Sequence, residues 1–352
     1  MRVAIDATPL TLTSGGLVRY TRELSLALAA GFPDDQFVLV SDQPFDLPHG
    51  APANLTAGKG PQNALERRWW LWGLHHEMER LSAEVFHGTN FAVPYIPRRP
   101  SVLTLHDLSP WMDPGWHHAA DRVRGRTPLL IELGCATVIL TDTEAVRRQA
   151  IEYFRIHPSR VVAVPLGGLP RTDMPAAEEG PPYFLFVGTL EPRKNIDGLL
   201  ASWRVVRRRH PVDLVLAGRR REDFPELAPE PGLRVLGEVP DQELPKLYKG
   251  ALALVYPSRY EGFGLPVLEA MQCGAYAIIS RDPALLEVAG DAAVAAEGEK
   301  ELAAAMTAAL TQPERAREWK EKAVRRARDF SWERTARLTY EVYEEARERF
   351  GR

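Results

Sequence analysis

Hydrophobic positions along this chain fall into two alternating kinds of segment. Short runs rich in Val, Ile, Leu and Phe recur throughout. The first half carries "RVAI", "QFVLV", "SVLTL", "TVILT" and "RVVAV", and the second "YFLFVG", "DLVLAG", "LRVLG", "LALVYP" and "AYAIIS". Several are apolar at successive positions, as a strand must be when helices cover both faces of a parallel sheet. Between these runs the apolar spacing predicts helices over 17–30, 62–81, 143–154, 194–209 and 298–311. That alternation predicts βαβ units and doubly wound parallel sheets, an α/β architecture.

One stretch breaks the rhythm. "PLGGLPRTDMPAAEEGPP" is rich in Pro and Gly, without periodicity, and leads into a fresh strand. It reads as an interdomain connection. The expected organisation is a Rossmann-like domain over 1–168, a linker over 169–182, a second Rossmann-like domain over 183–330 and a final helix within 331–352. That helix has Trp332, Ala336, Leu338, Val342 and Tyr343 to bury, so it needs a surface to cover.

A length of 352 residues suits two domains of ordinary size. The formal net charge of -3 supplies no electrostatic reason to expect nucleic acid as a partner. Cys135 and Cys273 lie far apart without metal-ligand spacing, so reduced, buried thiols are expected. No apolar run reaches the length of a membrane span, and Asp6 interrupts the N-terminal run too early for a signal peptide. A cytoplasmic protein is expected.

Candidate chemistry gathers in "EGFGLPVLEA", residues 261–270. Pro266 suits the first turn of a helix, where its missing N–H costs nothing. The positions before it, "GFGL", offer no side-chain cap for the first free backbone N–H groups. Gly262 and Gly264 clear space for another molecule, so the helix start is an anion seat that a diphosphate could complete. Glu261 and Glu269 flank it and can accept hydrogen bonds from paired hydroxyls. Hydroxyls, phosphate and hydroxyls in series describe a nucleotide-sugar. A capless loop with two solvated glutamates fits the same residues. In "FVGTLEPRKNIDGLL", Arg193 and Lys194 lie after a buried strand, where a next helix begins. Cations there oppose the helix dipole, which speaks for an anionic ligand over a purely structural role.

These segments, with "VYPSRYEGFGLPVLEAMQCGAYAIIS" and "LLEVAGDAA", resemble family-4 retaining glycosyltransferases of GT-B fold. "SGGLVRYTRELSLAL", "VFHGTNFAVP", "LTLHDLSP" and "GEVPDQELPKLY" extend the resemblance over nearly the whole chain. It implies that Gly15 and Gly16 approach the donor diphosphate, and that His106 contacts the donor sugar near the reaction centre. It implies that Arg193 and Lys194 neutralise the leaving phosphates. Glu261 would hold sugar hydroxyls, with the backbone of Gly262, Phe263, Gly264 and Leu265 on sugar and phosphate. Glu269 would bind the ribose, and the segment around Val239 the base. The final helix would cross back onto the first domain. Many relatives carry Gly-Arg where this chain has Gly188-Thr189, so Arg193 would substitute for that missing cation. The "GTLEPRKN" form also points to GDP-mannose as donor.

The implied reaction moves a hexose with retention onto a saccharide, lipid-linked or small-molecule acceptor. No Asp-x-Asp pair occurs in the chain, so no metal and no cofactor is expected; the protein's cations and a helix start would stabilise the leaving diphosphate. His106, at the end of an apolar strand, could equally bond a backbone carbonyl. "ERRWWLWGLHHEMERL", 66–81, could be an acceptor face or a membrane-surface helix, the latter implying peripheral contact with the inner face of a membrane. Core-facing Trp69 and Trp72 are the plainer reading. The loop 106–126, with Trp111 and Trp116, could line an acceptor pocket. A sugar-nucleotide epimerase of the same fold, or a non-catalytic sugar-nucleotide-binding protein, would share the diphosphate seat.

Overall fold

The computed structural model describes residues 1–12, 15–117, 120–168 and 180–351. Two compact units emerge, each built on its own parallel sheet. Unit one comprises Met1–Met112, His117–Gly167 and Ser331–Arg352, and unit two Asp113–Trp116 and Gly168–Phe330. Most of the expected linker, residues 169–179, lies outside the described residues.

In unit one, strands β1 (Arg2–Asp6), β2 (Gln36–Val40), β3 (Leu55–Ala57), β4 (Val85–Gly88), β5 (Ser101–Leu105), β6 (Val138–Thr141) and β7 (Val161–Ala163) form one sheet. Its order is β3-β2-β1-β4-β5-β6-β7. Every pairing is parallel, for example Val3 beside Phe37 and Val85. Helices α1 (Gly16–Gly31), α2 (Leu74–Leu81), α3 (Asp121–Glu132) and α4 (Glu144–Phe154) accompany it. Strands β1, β2, β5 and β6 are buried along nearly their whole length, which is why they read as continuous apolar runs.

Unit two holds β8 (Tyr183–Val187), β9 (Asp213–Ala217), β10 (Leu233–Gly237), β11 (Ala253–Tyr256), β12 (Ala277–Ile279) and β13 (Val294–Ala295). The order β10-β9-β8-β11-β12-β13 is again parallel throughout. The helices used below are α5 (Ile196–Arg207), α6 (Leu265–Gln272) and α7 (Pro283–Ala289). In each sheet the chain reverses its direction of growth at one place, between β1 and β4 and between β8 and β11. Ligands of open α/β sheets bind beyond the carboxyl ends of the strands at such points.

The C-terminal helix, Trp332–Arg349, packs on unit one, with Ser331 as its N-cap. Tyr340 stacks on Phe32 with ring centroids 3.7 Å apart and donates to Asp35 at 2.6 Å. Tyr343 meets the buried His87 ring nitrogen Nδ1 at 2.7 Å. The Asn54 amide ties down the end of α1, donating to the carbonyls of Ala29 inside it and of Phe32 and Asp35 beyond it.

All ten runs quoted from the sequence contain or form strands. Strands β3 (LTA), β4 (VFHG) and β13 (VA) were not among them, because each carries only one or two large apolar residues outside any longer apolar run. The helix expected over 62–81 begins only at Trp69, as a π-helical turn leading into α2. Ahead of it, Asn63 accepts from the backbone N–H groups of Leu65 and Glu66, and Glu66 accepts from the Gln62 amide. Side-chain acceptors this close in sequence offer the backbone an alternative to helix.

Candidate active site

In unit two the loops after β8 and β11 meet at the reversal point. The first carries the tight turn Pro192–Lys194, ended by Asn195 in a left-handed conformation. The second carries Glu261. Lys194 is 6 % exposed and its ammonium pairs with the Glu261 carboxylate, while also donating to the Tyr256 hydroxyl at 2.8 Å. Arg193 reaches Glu261 Oε2 at 3.2 Å, the Tyr260 carbonyl at 2.8 Å and Glu191 Oε1 at 2.8 Å. Arg221, arriving after β9, bonds the other oxygen of Glu191 at 3.1 Å. Three cations therefore interlock with two carboxylates.

Burial alone would raise the Glu261 pKa. The Lys194 and Arg193 cations outweigh it and hold the carboxyl down at about 2. Burial and the Arg193 charge lower the Lys194 pKa, and Glu261 counteracts them. The pair is charged, because Glu261 lies between two cations and Lys194 has a hydroxyl acceptor besides. The two basic side chains are thus already oriented by carboxylates, and an arriving anion would share them with Glu191 and Glu261. Asp282, the N-cap of α7, accepts from the Glu261 amide at 3.2 Å, and burial first among its causes lifts its pKa to about 6.

Glu261 leads into Gly262, Phe263 and Gly264 and then α6. Gly264 has φ 90°, and α6 starts without a side-chain cap, with Pro266 in its first turn. A Cβ at Gly264 would stand 2.4 Å from Leu285 Cδ2, so only glycine fits this turn. Leu265 opens the helix. Phe263 is buried edge-to-face on Phe330, at 5.8 Å between centroids. Glu269, one turn inside α6, is 1 % exposed and accepts from the Tyr248 hydroxyl at 2.7 Å. It is a buried acceptor rather than a solvated one. Val239 follows the edge strand β10 and is half-buried.

In unit one, Gly15 caps α1 with φ 115° and open space where a Cβ would go, and Gly16 begins the helix. His106 follows β5, with Nδ1 2.8 Å from Asp142 Oδ2 and Nε2 2.8 Å from the Thr89 carbonyl. A carbonyl can only accept, so Nε2 carries a proton. Burial lowers the His106 pKa, but the Asp142 charge and these hydrogen bonds overcome it, and the net direction is up. Burial likewise raises Asp142 against the pull of His106. We assign the pair as imidazolium and carboxylate, since both ring nitrogens face oxygen acceptors. Any influence of His106 on a ligand therefore runs through its positive field and not through a vacant ring nitrogen. Asp142→Asn should lower the His106 pKa, visible in the pH dependence of its ring proton NMR signals; an unchanged titration would contradict the assignment.

The aromatic segments resolve differently. Trp69 is 2 % exposed in the core, while Trp70 packs on Phe86 and lies 5.7 Å from the Arg126 guanidinium. Trp111 packs against Phe91 and Phe154 in unit one. Trp116 groups with unit two, stacked on Tyr260 at 6.0 Å, and its carbonyl accepts from Arg221.

Glu191, Arg221, Tyr256, Tyr248 and Asp282 were not singled out from the sequence. Glu191 sits inside the quoted "TLEPRKN", so its acid beside two bases was the available signal. The others carry none, because their partners lie 20 or more residues away.

The family described as "Glycosyl transferases group 1" matches residues 173–326, and "Glycosyltransferase Family 4" matches residues 14–167. The chain is 37% identical over 286 residues to O-antigen chain mannosyltransferase B of Escherichia coli, covering 74% of each protein. This chain is a family-4 glycosyltransferase. Solved structures agree on the fold. Sucrose-phosphate synthase from Thermosynechococcus elongatus superposes with a TM-score of 0.77 at 18% identity, over 98% of both chains. WaaG, a glycosyltransferase involved in lipopolysaccharide biosynthesis, gives 0.73 at 17%, over 97% of this chain and 99% of its own. The glycosyltransferase thus has the GT-B fold, with two Rossmann-like units, and is a hexosyltransferase resembling mannosyltransferases. Among its described residues no group of three or more His, Cys, Asp or Glu side chains could hold a metal ion. Among the described residues no helix is long and apolar enough to cross a membrane.

Proposed function

We propose that this glycosyltransferase transfers mannose from GDP-mannose to a saccharide acceptor with retention and without a metal ion. The observation that carries the proposal is the buried Glu191–Arg193–Glu261–Lys194 network next to the uncapped start of α6. Cations already fixed in place stabilise charge that builds on the leaving diphosphate without reorganising at that moment. Backbone N–H groups at the α6 start take the phosphate oxygens. Glu261 accepts from the sugar hydroxyls and Glu269 from the ribose. The departing phosphate oxygen takes the acceptor proton on the face where the new bond forms, so no protein nucleophile is used. The mannosyltransferase name of the Escherichia coli relative and the "GTLEPRKN" segment support the choice of sugar. An epimerase is not favoured, since the relatives named here are transferases.

A thermal-shift series with GDP-mannose, UDP-glucose and ADP-glucose tests the donor, because a ligand that binds the native state raises apparent stability. GDP-mannose should raise Tm most. A shift confined to UDP-glucose would overturn the choice. Within the same reading, Glu269→Gln removes a charged acceptor worth about 1.5–3 kcal/mol. We expect the donor KM to rise roughly ten- to a hundredfold, with a smaller change in kcat. Unaltered donor KM would remove Glu269 from the site.

A further inference from the structure

A cavity of about 700 Å³ opens in unit one between α3 and α4. The carboxyl-edge residues Asp6, Thr89 and His106 do not line it. Trp111, Tyr153, Phe154 and Ile131 supply an apolar lining, and Arg124, Glu132 and His157 a polar one. Trp111 is set edge-on to Phe154 at 5.1 Å, and Tyr153 is 50% exposed.

Arg155 and Arg160 also line the cavity. The Arg160 guanidinium is held at 2.6 Å by the Ala136 carbonyl and also touches that of Ile131, so it is aimed by backbone alone. Arg155 is exposed and stands immediately after α4 with φ 53°, a left-handed position that glycine ordinarily fills. Neither has a carboxylate partner among the described residues. A long cation kept at a glycine position is a local rule broken, and such positions cluster at ligand sites. The volume lies in the range of small-molecule pockets and far exceeds what inorganic phosphate fills.

We propose that this cavity is a second ligand site, taking a phosphate-bearing amphiphile. Arg155 and Arg160 meet the phosphate, and the aromatic walls cover the chain. The inference is independent of the donor reading and involves no nucleotide.

Calorimetric titration of the full chain with farnesyl phosphate, farnesol and inorganic phosphate tests it. Farnesyl phosphate should bind at least tenfold more tightly than either control. Arg155→Gly should weaken that binding about tenfold while Tm stays level or rises, because glycine suits the left-handed position. A drop in Tm with unchanged binding would show Arg155 to be a structural cap and overturn the assignment. Equal binding of farnesol would reduce the cavity to a nonspecific apolar surface. Equal binding of inorganic phosphate, or no binding of farnesyl phosphate, would also sink the proposal.

Discussion

Lys194→Ala should lower kcat for transfer by about 10²–10³, the range seen when one preorganised charge stabiliser is removed. The donor KM should change far less, since the lost interaction strengthens as charge develops on the leaving group. The variant also leaves Glu261, 6 % exposed, with Arg193 as its remaining cation. Breaking a buried ion pair from one side costs about 3–5 kcal/mol, and Arg193 should keep the loss near the lower end. Chemical denaturation gives the stability, and single-turnover kinetics at a temperature where the variant is folded gives the rate. A folded Lys194→Ala enzyme with near-native kcat would remove Lys194 from catalysis and leave it a structural counter-ion.

Gly264→Ala should be the most damaging single methyl in the donor loop. The residue holds φ 90°, where alanine pays about 1–2 kcal/mol. The new Cβ would also stand 2.4 Å from Leu285 Cδ2, and Leu285 is fully buried, so its side chain has little room to yield. Overpacking of that kind costs about 1–3 kcal/mol more. We expect a combined loss of about 2–5 kcal/mol by urea denaturation, and a donor KM raised at least tenfold in the surviving native protein. Wild-type stability and donor affinity in this variant would show that the turn relaxes freely and that its geometry does not serve the donor.

The expected prominence of "EGFGLPVLEA" came from a missing cap, two glycines and two acids, all of them local features. The structure adds that Glu261 is ion-paired and Glu269 deeply buried, so neither is the solvated carboxylate that the same residues also allowed. Arg193 and Lys194 were visible as cations placed against a helix dipole. The carboxylate partner of Arg193, Glu191, was two positions away, yet its role depends on Arg221 as well, some thirty residues on. His106 was visible as the polar end of an apolar strand. Asp142, which sets its charge, belongs to the end of a different strand.

Strand and helix alternation, the parallel sheets and the glycine turn before α6 were determined by sequence alone, because each depends on periodicity or on conformational limits within a few residues. The pairing of Lys194 with Glu261, the docking of Tyr248 on Glu269 and the packing of the C-terminal helix on unit one were decided only in three dimensions. The physical reason is the sheet reversal between β8 and β11, with the packing of the helices. It brings loops distant in the chain to one edge, and burial there converts ordinary surface residue types into coupled charges.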